Sequence, residues 1–180
     1  MKKTSKNKTN VQNRRSTKLL IIVAVLIGAV AVFAAFNNGK SKPADEISQG
    51  RNAAPVVRGG DLIINAGDVS DTAKFYPYQA GDIYMEVMAV KASDGSVRTA
   101  FNTCQVCYDS GQGYYRQAGN EMICQNCGNV FSVDDIEKVK GGCNPVPIMS
   151  GNKKIDGDNI AISEQFLNEN KEFFADWKRD

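Results

Sequence analysis

Cysteine is the residue type in this chain whose number and spacing could do chemistry. Four of the five cysteines form two Cys-x-x-Cys pairs, Cys104 with Cys107 and Cys124 with Cys127, and sixteen residues separate the two pairs. This double spacing is typical of zinc-ribbon and rubredoxin sites, in which two tight turns bring four sulfurs around one metal ion. The spacing therefore predicts a metal–thiolate site and favours it over disulfides.

The composition narrows the kind of metal. The chain has no histidine, so the ligands expected from the two pairs are thiolates alone, and thiolates select soft or borderline metals. The candidates are iron, either alone or in an iron–sulfur cluster, and zinc as the alternative. Calcium and magnesium, which require oxygen ligands, are excluded. Spacing alone leaves zinc and iron open.

Two disulfide interpretations compete with the metal site. Thiols tend to pair in an oxidising compartment, so structural disulfides within or between the pairs are the simplest alternative. A thiol–disulfide exchange protein of thioredoxin type would place one pair at the N-terminus of a helix, after a buried strand. Here both pairs are predicted on turns of hairpins, which argues against that arrangement.

The fifth cysteine, Cys143, lies in the sequence GGCNPVPI, residues 141–148. Free cysteine packs well as a small interior residue, so a place in the core is one interpretation. The other is a functional thiol: a further metal ligand, a metal-capture group or a redox partner beside the two pairs. An odd cysteine in an exported chain slightly favours the functional interpretation.

The pairs need a rigid scaffold, and alternating apolar residues predict one made mostly of strands. The predicted strands cover residues 62–64, 73–78, 83–91, 97–103, 113–117, 121–123 and 159–162. Pro77 predicts that the second of these is an edge strand. A turn at residues 93–96 joins the third and fourth strands into a hairpin that leads directly to Cys104. The predicted fold class is α+β, mostly β: a small antiparallel sheet domain carrying the four-cysteine hairpin.

A C-terminal helix is predicted to close this domain. Ser163 is its predicted N-cap, and its apolar face combines Phe166, Leu167, Phe174 and Trp177.

Two other groups of residues lie close to the cysteines in the sequence. Tyr114 and Tyr115 are predicted to be core residues, with shielding of the metal site as the other interpretation. The acids Asp134, Asp135 and Glu137 are predicted to be the solvated N-terminus of a helix rather than a cation site.

The N-terminal part of the chain predicts a membrane anchor. Residues 1–18 form a basic leader, and residues 19–36 form an uncharged apolar run that would rise roughly 27 Å as a helix, enough to span a bilayer core. The seven Lys and Arg residues of the leader predict a cytoplasmic N-terminus and a single-pass topology. Residues 37–60 are predicted to be a flexible linker and residues 61–180 an extracytoplasmic metal–thiolate domain. A cleaved signal peptide is the alternative, but the apolar run exceeds the usual length of such a segment.

Charge and composition exclude other function classes. Without the leader, 15 basic residues (22 − 7) face 20 acidic residues, so the body of the chain carries a net charge of about −5. Nucleic-acid binding requires a concentrated basic face and is excluded. Because histidine is absent, the Ser-His and Cys-His arrangements of hydrolases cannot be built. A redox carrier is favoured over a classical enzyme.

The motifs together carry a family resemblance. The segments DGSVRTAF (94–101), CQVC (104–107), GYY (113–115), MICQNCG (122–128) and GGCNPVPI (141–148) resemble the FtrD-like family of membrane iron–sulfur proteins. The resemblance runs from about residue 61 to residue 148. Its larger members have a multi-span N-terminal half, whereas this chain has one predicted span, so transmembrane electron transport by the chain alone is not implied.

The resemblance implies a bacterial membrane-attached protein that contains an iron–sulfur centre. It implies that Cys104, Cys107, Cys124 and Cys127 are the ligands, with Cys143 also part of the pattern. The relatives accompany high-affinity iron permeases and periplasmic metal-binding proteins, which are the partners implied here. Electron transfer or metal handling linked to iron uptake is therefore the first functional hypothesis. A structural zinc-ribbon binding module and a thiol–disulfide exchange protein are the alternatives.

Overall fold

The computed structural model describes residues 53–178, and most of its regular structure is β-strand. In chain order the strands are β1 (Val57–Arg58), β2 (Leu62–Asn65), β3 (Lys74–Ala80), β4 (Ile83–Lys91), β5 (Val97–Cys104), β6 (Tyr115–Ala118), β7 (Glu121–Cys124), β8 (Val130–Ser132), β9 (Pro145–Pro147), β10 (Lys154–Asp156) and β11 (Asn159–Ile162). One α-helix, α1 (Glu164–Glu169), and a 3-10 helix, Lys171–Phe174, follow β11 in the described range.

The central element is a five-stranded sheet in the order β1-β3-β4-β5-β9. Its long strands β3, β4 and β5 are antiparallel neighbours, as their alternating patterns predict. The tight turn between β4 and β5 contains Gly95 at φ 80°, a left-handed conformation that glycine adopts without steric cost. After this turn, β5 runs between β4 and β9 and ends at Cys104.

The two faces of the central sheet contribute to two separate cores, because successive side chains of a strand point to opposite sides. On one side, Val87 and Phe101 belong to an apolar cluster that includes residues of β2, β11 and α1. On the other side, Met88 and Ala100 belong to a cluster that includes Cys104 and the β6–β8 region. The sheet β10-β11-β2 thus packs on one face, and the sheet β6-β7-β8 packs on the other.

The predicted strands are confirmed, but β3 is not an edge strand. The two-residue β1 lies parallel to β3 at Tyr78 and Gln79, and Ala53 forms a further parallel bridge to Phe75. Pro77, which has no N–H to donate, lies between these two contacts. β1 falls within the predicted linker, and the division of the chain into segments stays a prediction.

The predicted closing helix is shorter than its apolar pattern. Ser163 caps α1 by accepting a hydrogen bond from the Phe166 amide at 3.2 Å, as predicted. The helix ends at Asn170, whose side chain donates to the Phe166 carbonyl oxygen at 2.8 Å. The chain then continues as a 3-10 helix, so Leu167 and Phe174 are both buried but lie on different elements.

The acidic cluster does not form the N-terminus of an α-helix. Ser132 caps only a single 3-10 turn, Val133–Asp135, and Glu137 then adopts a left-handed backbone with φ 68°. This turn directs the Glu137 carboxylate inward, where it accepts from Thr99 Oγ1 at 2.8 Å and pairs with Lys153 Nζ at 2.5 Å. The prediction of a solvated acid is therefore wrong for Glu137.

The predicted leader and membrane span, residues 1–36, lie outside the described residues. Within residues 53–178, no helix has the length and apolar character that crossing a membrane requires.

Candidate metal centre

The first Cys-x-x-Cys pair begins where β5 ends. Cys104 is the last residue of this central strand and is fully buried, and Cys107 follows after a tight turn and is nearly so. Pairing between β5 and β9 shifts register between Phe101 and Cys104, a bulge of the kind that reorients side chains at a strand end. The sheet thus holds the first sulfur, as predicted.

The second pair repeats this arrangement on the small hairpin. Cys124 is the last residue of β7 and is buried, whereas Cys127 is exposed. Gly128 adopts a positive φ of 73°, and its amide donates to the Cys124 carbonyl oxygen at 2.9 Å. This hydrogen bond closes the turn that carries the pair.

A fully buried asparagine joins the two pairs. Asn102 lies on the same face of β5 as Cys104, and its Oδ1 accepts from the Tyr115 amide at 2.8 Å. Its Nδ2 donates to the buried Glu86 carboxylate at 2.8 Å, which fixes the orientation of the amide. Tyr115 is paired in register with Cys124, so this contact docks the second pair on the first.

The Cys143 loop is tied to both pairs through its backbone. Two side chains, the Tyr115 hydroxyl and Asn129 Nδ2, donate to the Cys143 carbonyl oxygen, each at 2.8 Å. From the first pair, the Gln105 side chain accepts from the Gly141 amide at 3.1 Å and donates to the Pro145 carbonyl oxygen at 3.1 Å. These bonds span both ends of the loop and hold Cys143 at the site.

The C-terminal segment, residues 173–178, packs against the residues that directly follow the first pair. The Lys178 amide donates to the Gly111 carbonyl oxygen at 2.7 Å, and the ring of Phe173 packs edge-on against Tyr108 with centroids 5.0 Å apart. A Cβ at Gly111 would lie only 2.3 Å from the Asp176 carbonyl oxygen, so glycine is required for this approach. Trp177 Nε1 also donates to the Asn102 carbonyl oxygen at 3.2 Å.

All five cysteines are free thiols, and their sulfurs converge in two overlapping groups of three. Cys104, Cys107 and Cys143 form one group, and Cys107, Cys124 and Cys127 form the other, with the sulfurs of each group within 4.8 Å of one another. The Cys107 and Cys143 sulfurs are 4.0 Å apart. The structure therefore brings every predicted ligand together, and Cys107 is common to both groups.

The innermost sulfur is surrounded by donors. Burial would raise the pKa of Cys104, but hydrogen bonds from Tyr115 and from the amides of Val106 and Cys107 outweigh it, so this pKa is lowered. Burial and the hydrogen bond to Cys104 raise the pKa of Tyr115 itself. The tyrosine has one hydroxyl proton, which serves either the Cys104 sulfur or the Cys143 carbonyl oxygen at a given moment.

The other four thiols differ in acidity according to their surroundings. A hydrogen bond from the Asn129 amide lowers the pKa of Cys127. Burial raises the pKa of Cys107 and raises that of Cys124 to about 12. The neighbouring Cys127 sulfur raises the pKa of Cys143 to about 12. Three of the five thiols, Cys107, Cys124 and Cys143, thus have raised pKa values. A bound cation would lower these pKa values and favour the thiolates.

The donor set fits a soft metal ion or an iron–sulfur centre. Five sulfurs converge, three of them buried, and backbone amides point at the sulfurs of both pairs, as outer-shell donors do in metal–thiolate sites. Asn102, Gln105 and Asn129 position these sulfurs but were not identified from the sequence. A polar residue inside a buried strand, as Asn102 is, was the available signal.

Tyr115 satisfies both interpretations that its sequence left open, because it is fully buried in the core and also contacts the site. Tyr114 is buried and packs against Trp177 with ring centroids 6.1 Å apart.

A family model described as "Membrane iron-sulfur containing protein FtrD-like" matches residues 69–174. The match includes all five cysteines and most of the described fold. No curated protein and no solved structure matches the chain significantly.

Proposed function

This chain belongs to the FtrD-like family of membrane iron–sulfur containing proteins, and from that premise we propose that it is a membrane-anchored redox or metal-handling protein of iron uptake. Its five-cysteine site would hold iron, alone or as an iron–sulfur centre, outside the cytoplasm. The site would pass electrons or iron to a partner, for which an iron permease or an extracytoplasmic metal-binding protein is proposed.

The convergence of all five cysteines carries this proposal. No cysteine within residues 53–178 lies away from the site, although the five cysteines come from two hairpins and a distant loop. Cys104, Cys107, Cys124 and Cys127 are the proposed principal ligands. When bound, iron would supply one-electron chemistry, and the amides that donate to the sulfurs would shift its potential upward by stabilising the more negative, reduced site.

Exposure at one side of the site is compatible with exchange with a partner. Cys127 is exposed and Cys143 is half-buried, whereas Cys104 and Cys124 are shielded. Val106, between the first two cysteines, is 56% exposed, which leaves an apolar contact beside the sulfurs. An electron carrier needs a short path from its metal centre to its partner. The exposed side of the site, at Val106, Cys127 and Cys143, would supply that path.

The test is the colour and metal content of the full-length chain, purified in detergent under anaerobic conditions. Ferric thiolate and iron–sulfur centres absorb visible light, so we expect a coloured protein that contains iron and bleaches on chemical reduction. Replacing Cys124→Ser should abolish the colour, while the control Val130→Ala, a change at an exposed residue beyond the second turn, should retain it.

The alternatives predict different results in the same preparation. A colourless protein with bound zinc would establish the structural zinc module instead. A metal-free protein with a readily reducible disulfide would establish thiol–disulfide exchange. Cys107 and Cys143, whose sulfurs are 4.0 Å apart, are one candidate pair.

A further inference from the structure

The arrangement of the five sulfurs differs from a single four-sulfur cage. In a tetrahedral thiolate site with metal–sulfur distances of about 2.3 Å, all four sulfurs lie roughly 3.8 Å from one another. Here the four cysteines of the two pairs do not form one such group. Cys104 is grouped with Cys107 and Cys143, whereas Cys124 and Cys127 are grouped with Cys107 alone. Two triangles of sulfur therefore share one corner.

The shared corner is the geometry of a bridging ligand. A thiolate sulfur has enough lone pairs to bind two metal ions at once. Cys107 is nearly buried and lies between the two triangles. Each triangle supplies three sulfurs, so one further ligand, such as water or sulfide, would complete a tetrahedron on each side.

Charge supports two ions rather than one. Metal-bound cysteines are deprotonated, so five thiolates around one divalent ion would carry a net charge of −3. Two divalent ions would reduce this to −1. Among residues 53–178, the groups that most affect the five thiols are other cysteines, backbone amides and neutral side chains. Uncompensated charge in a half-buried site is costly.

Cys143 is held as a ligand would be held. Its carbonyl oxygen accepts two side-chain hydrogen bonds, from Tyr115 and Asn129, so its backbone is fixed against both halves of the site. Gly141 and Gly142 both adopt positive φ, 87° and 67°, which lets the loop turn back to the first pair. A cysteine that merely filled the core would not need this anchoring at a half-exposed position.

We propose that the site binds two metal ions, with Cys107 as the shared thiolate and Cys143 as a required ligand of the ion on the Cys104 side. This inference rests on the proposed metal–thiolate function and specifies how many metal ions the five-cysteine site binds. Binding the second ion releases the Cys143 proton to water, forms a metal–sulfur bond and transfers no electron.

Anaerobic titration of the full-length, metal-free chain with cobalt(II) tests this proposal. We expect the thiolate-to-cobalt absorption to rise linearly until two equivalents have been added. The electron paramagnetic resonance signal of high-spin cobalt should grow over the first equivalent and decline over the second, because two ions that share a sulfur couple magnetically. Iron content of the anaerobically purified chain should also reach two atoms per chain.

Two variants sharpen the test. Cys143→Ser should reduce the cobalt endpoint from two equivalents to one, and the remaining signal should not decline with excess cobalt. Val130→Ala alters an exposed side chain of β8 without removing a sulfur, and its endpoint should stay at two.

The possible failures are distinguishable. Saturation of the wild-type band at one equivalent would overturn the two-ion site. An endpoint of two in Cys143→Ser would overturn Cys143 as a required ligand. Both outcomes leave the metal–thiolate function intact. Absence of any thiolate-to-cobalt band in reduced protein would overturn both proposals.

Discussion

The two faces of the central sheet differ in what holds them together. One face packs large apolar side chains such as Phe101 and Leu167 between β-strands and a helix. The other face also packs apolar side chains, but it has Glu86 and Asn102 buried on the sheet itself and three buried cysteines in its core. Burial of apolar area stabilises the first core directly. The second core includes thiols that crowd one another, so we expect its stability to depend on metal.

The expected dependence on metal distinguishes the part of the fold that is stable by itself from the part that the metal site holds in place. The apolar core needs no ligand and can fix β4 and β5 in place. The β6–β8 sheet has only three strands of three or four residues each, so it buries little apolar area of its own. Metal binding at Cys104 and Cys124 would join the small sheet to the large one.

The largest effect should therefore come from metal removal. Binding of a structural metal to thiolates contributes on the order of 10 kcal/mol to folding in small domains. Treatment of the full-length chain with a chelator should abolish hydrogen-exchange protection in β6–β8 while that of β3–β5 persists. Equal loss of protection in both sheets would show that the two cores form one cooperative unit.

A pair of core truncations should separate the two faces further. Phe101→Ala and Phe131→Ala each remove a buried ring, one from each core, and each should cost about 3–5 kcal/mol in the metal-loaded protein. After metal removal, the cost of Phe131→Ala should shrink because its surroundings have already loosened, whereas that of Phe101→Ala should not. Denaturant unfolding of both variants, with and without metal, measures the coupling.

A smaller effect should come from the contact that joins the faces. Asn102→Ala removes the acceptor of the buried Tyr115 amide, which should lower the free energy of unfolding by about 1–3 kcal/mol. The control Asn168→Ala, at an exposed asparagine of α1, should have little effect. Equal stability of the two variants would show that Asn102 does not link the cores.

The smallest effect should lie at the exposed turn of the β4–β5 hairpin. Hydrogen bonds from Ser96, followed by attraction to Arg98, lower the pKa of Asp94 to about 2. A lowered pKa stabilises the folded state above the unfolded pKa of about 4 and loses that contribution as the pH falls towards 2. The melting temperatures of wild type and Asp94→Asn should thus differ slightly at pH 5 and converge by pH 2. A difference that grows on acidification would contradict the assignment.

The two faces also differ in how far the sequence predicts them. The strand-forming residues of Ile83–Lys91 and Val97–Cys104, joined by a turn at residues 93–96, predict the central hairpin and the entry to Cys104. The spacing of the two pairs predicts that their four thiols lie close together. β8, β9 and β10 have three residues each, too few for a periodic pattern, and β9 has proline at both ends.

What the sequence could not predict are contacts between distant segments. The left-handed turn at Glu137 has no local signature, because Glu rarely adopts it. Its explanation lies in two distant partners of the carboxylate, Thr99 and Lys153. Likewise, Asn129 and Tyr115 meet at the Cys143 carbonyl oxygen only after three segments have packed together. The division of the sulfurs into two triangles is a property of that packing.

The brace at the C-terminal end has a consequence for biosynthesis. Trp177 and Lys178 support the first cysteine turn, yet they are made about 70 residues after Cys107. At roughly 5–20 residues per second, the ribosome takes about 4–14 s to supply them. During that interval the thiols of the nascent chain lack the C-terminal brace and have to escape oxidation. The pace of translation should thus influence what fraction of newly made chains matures.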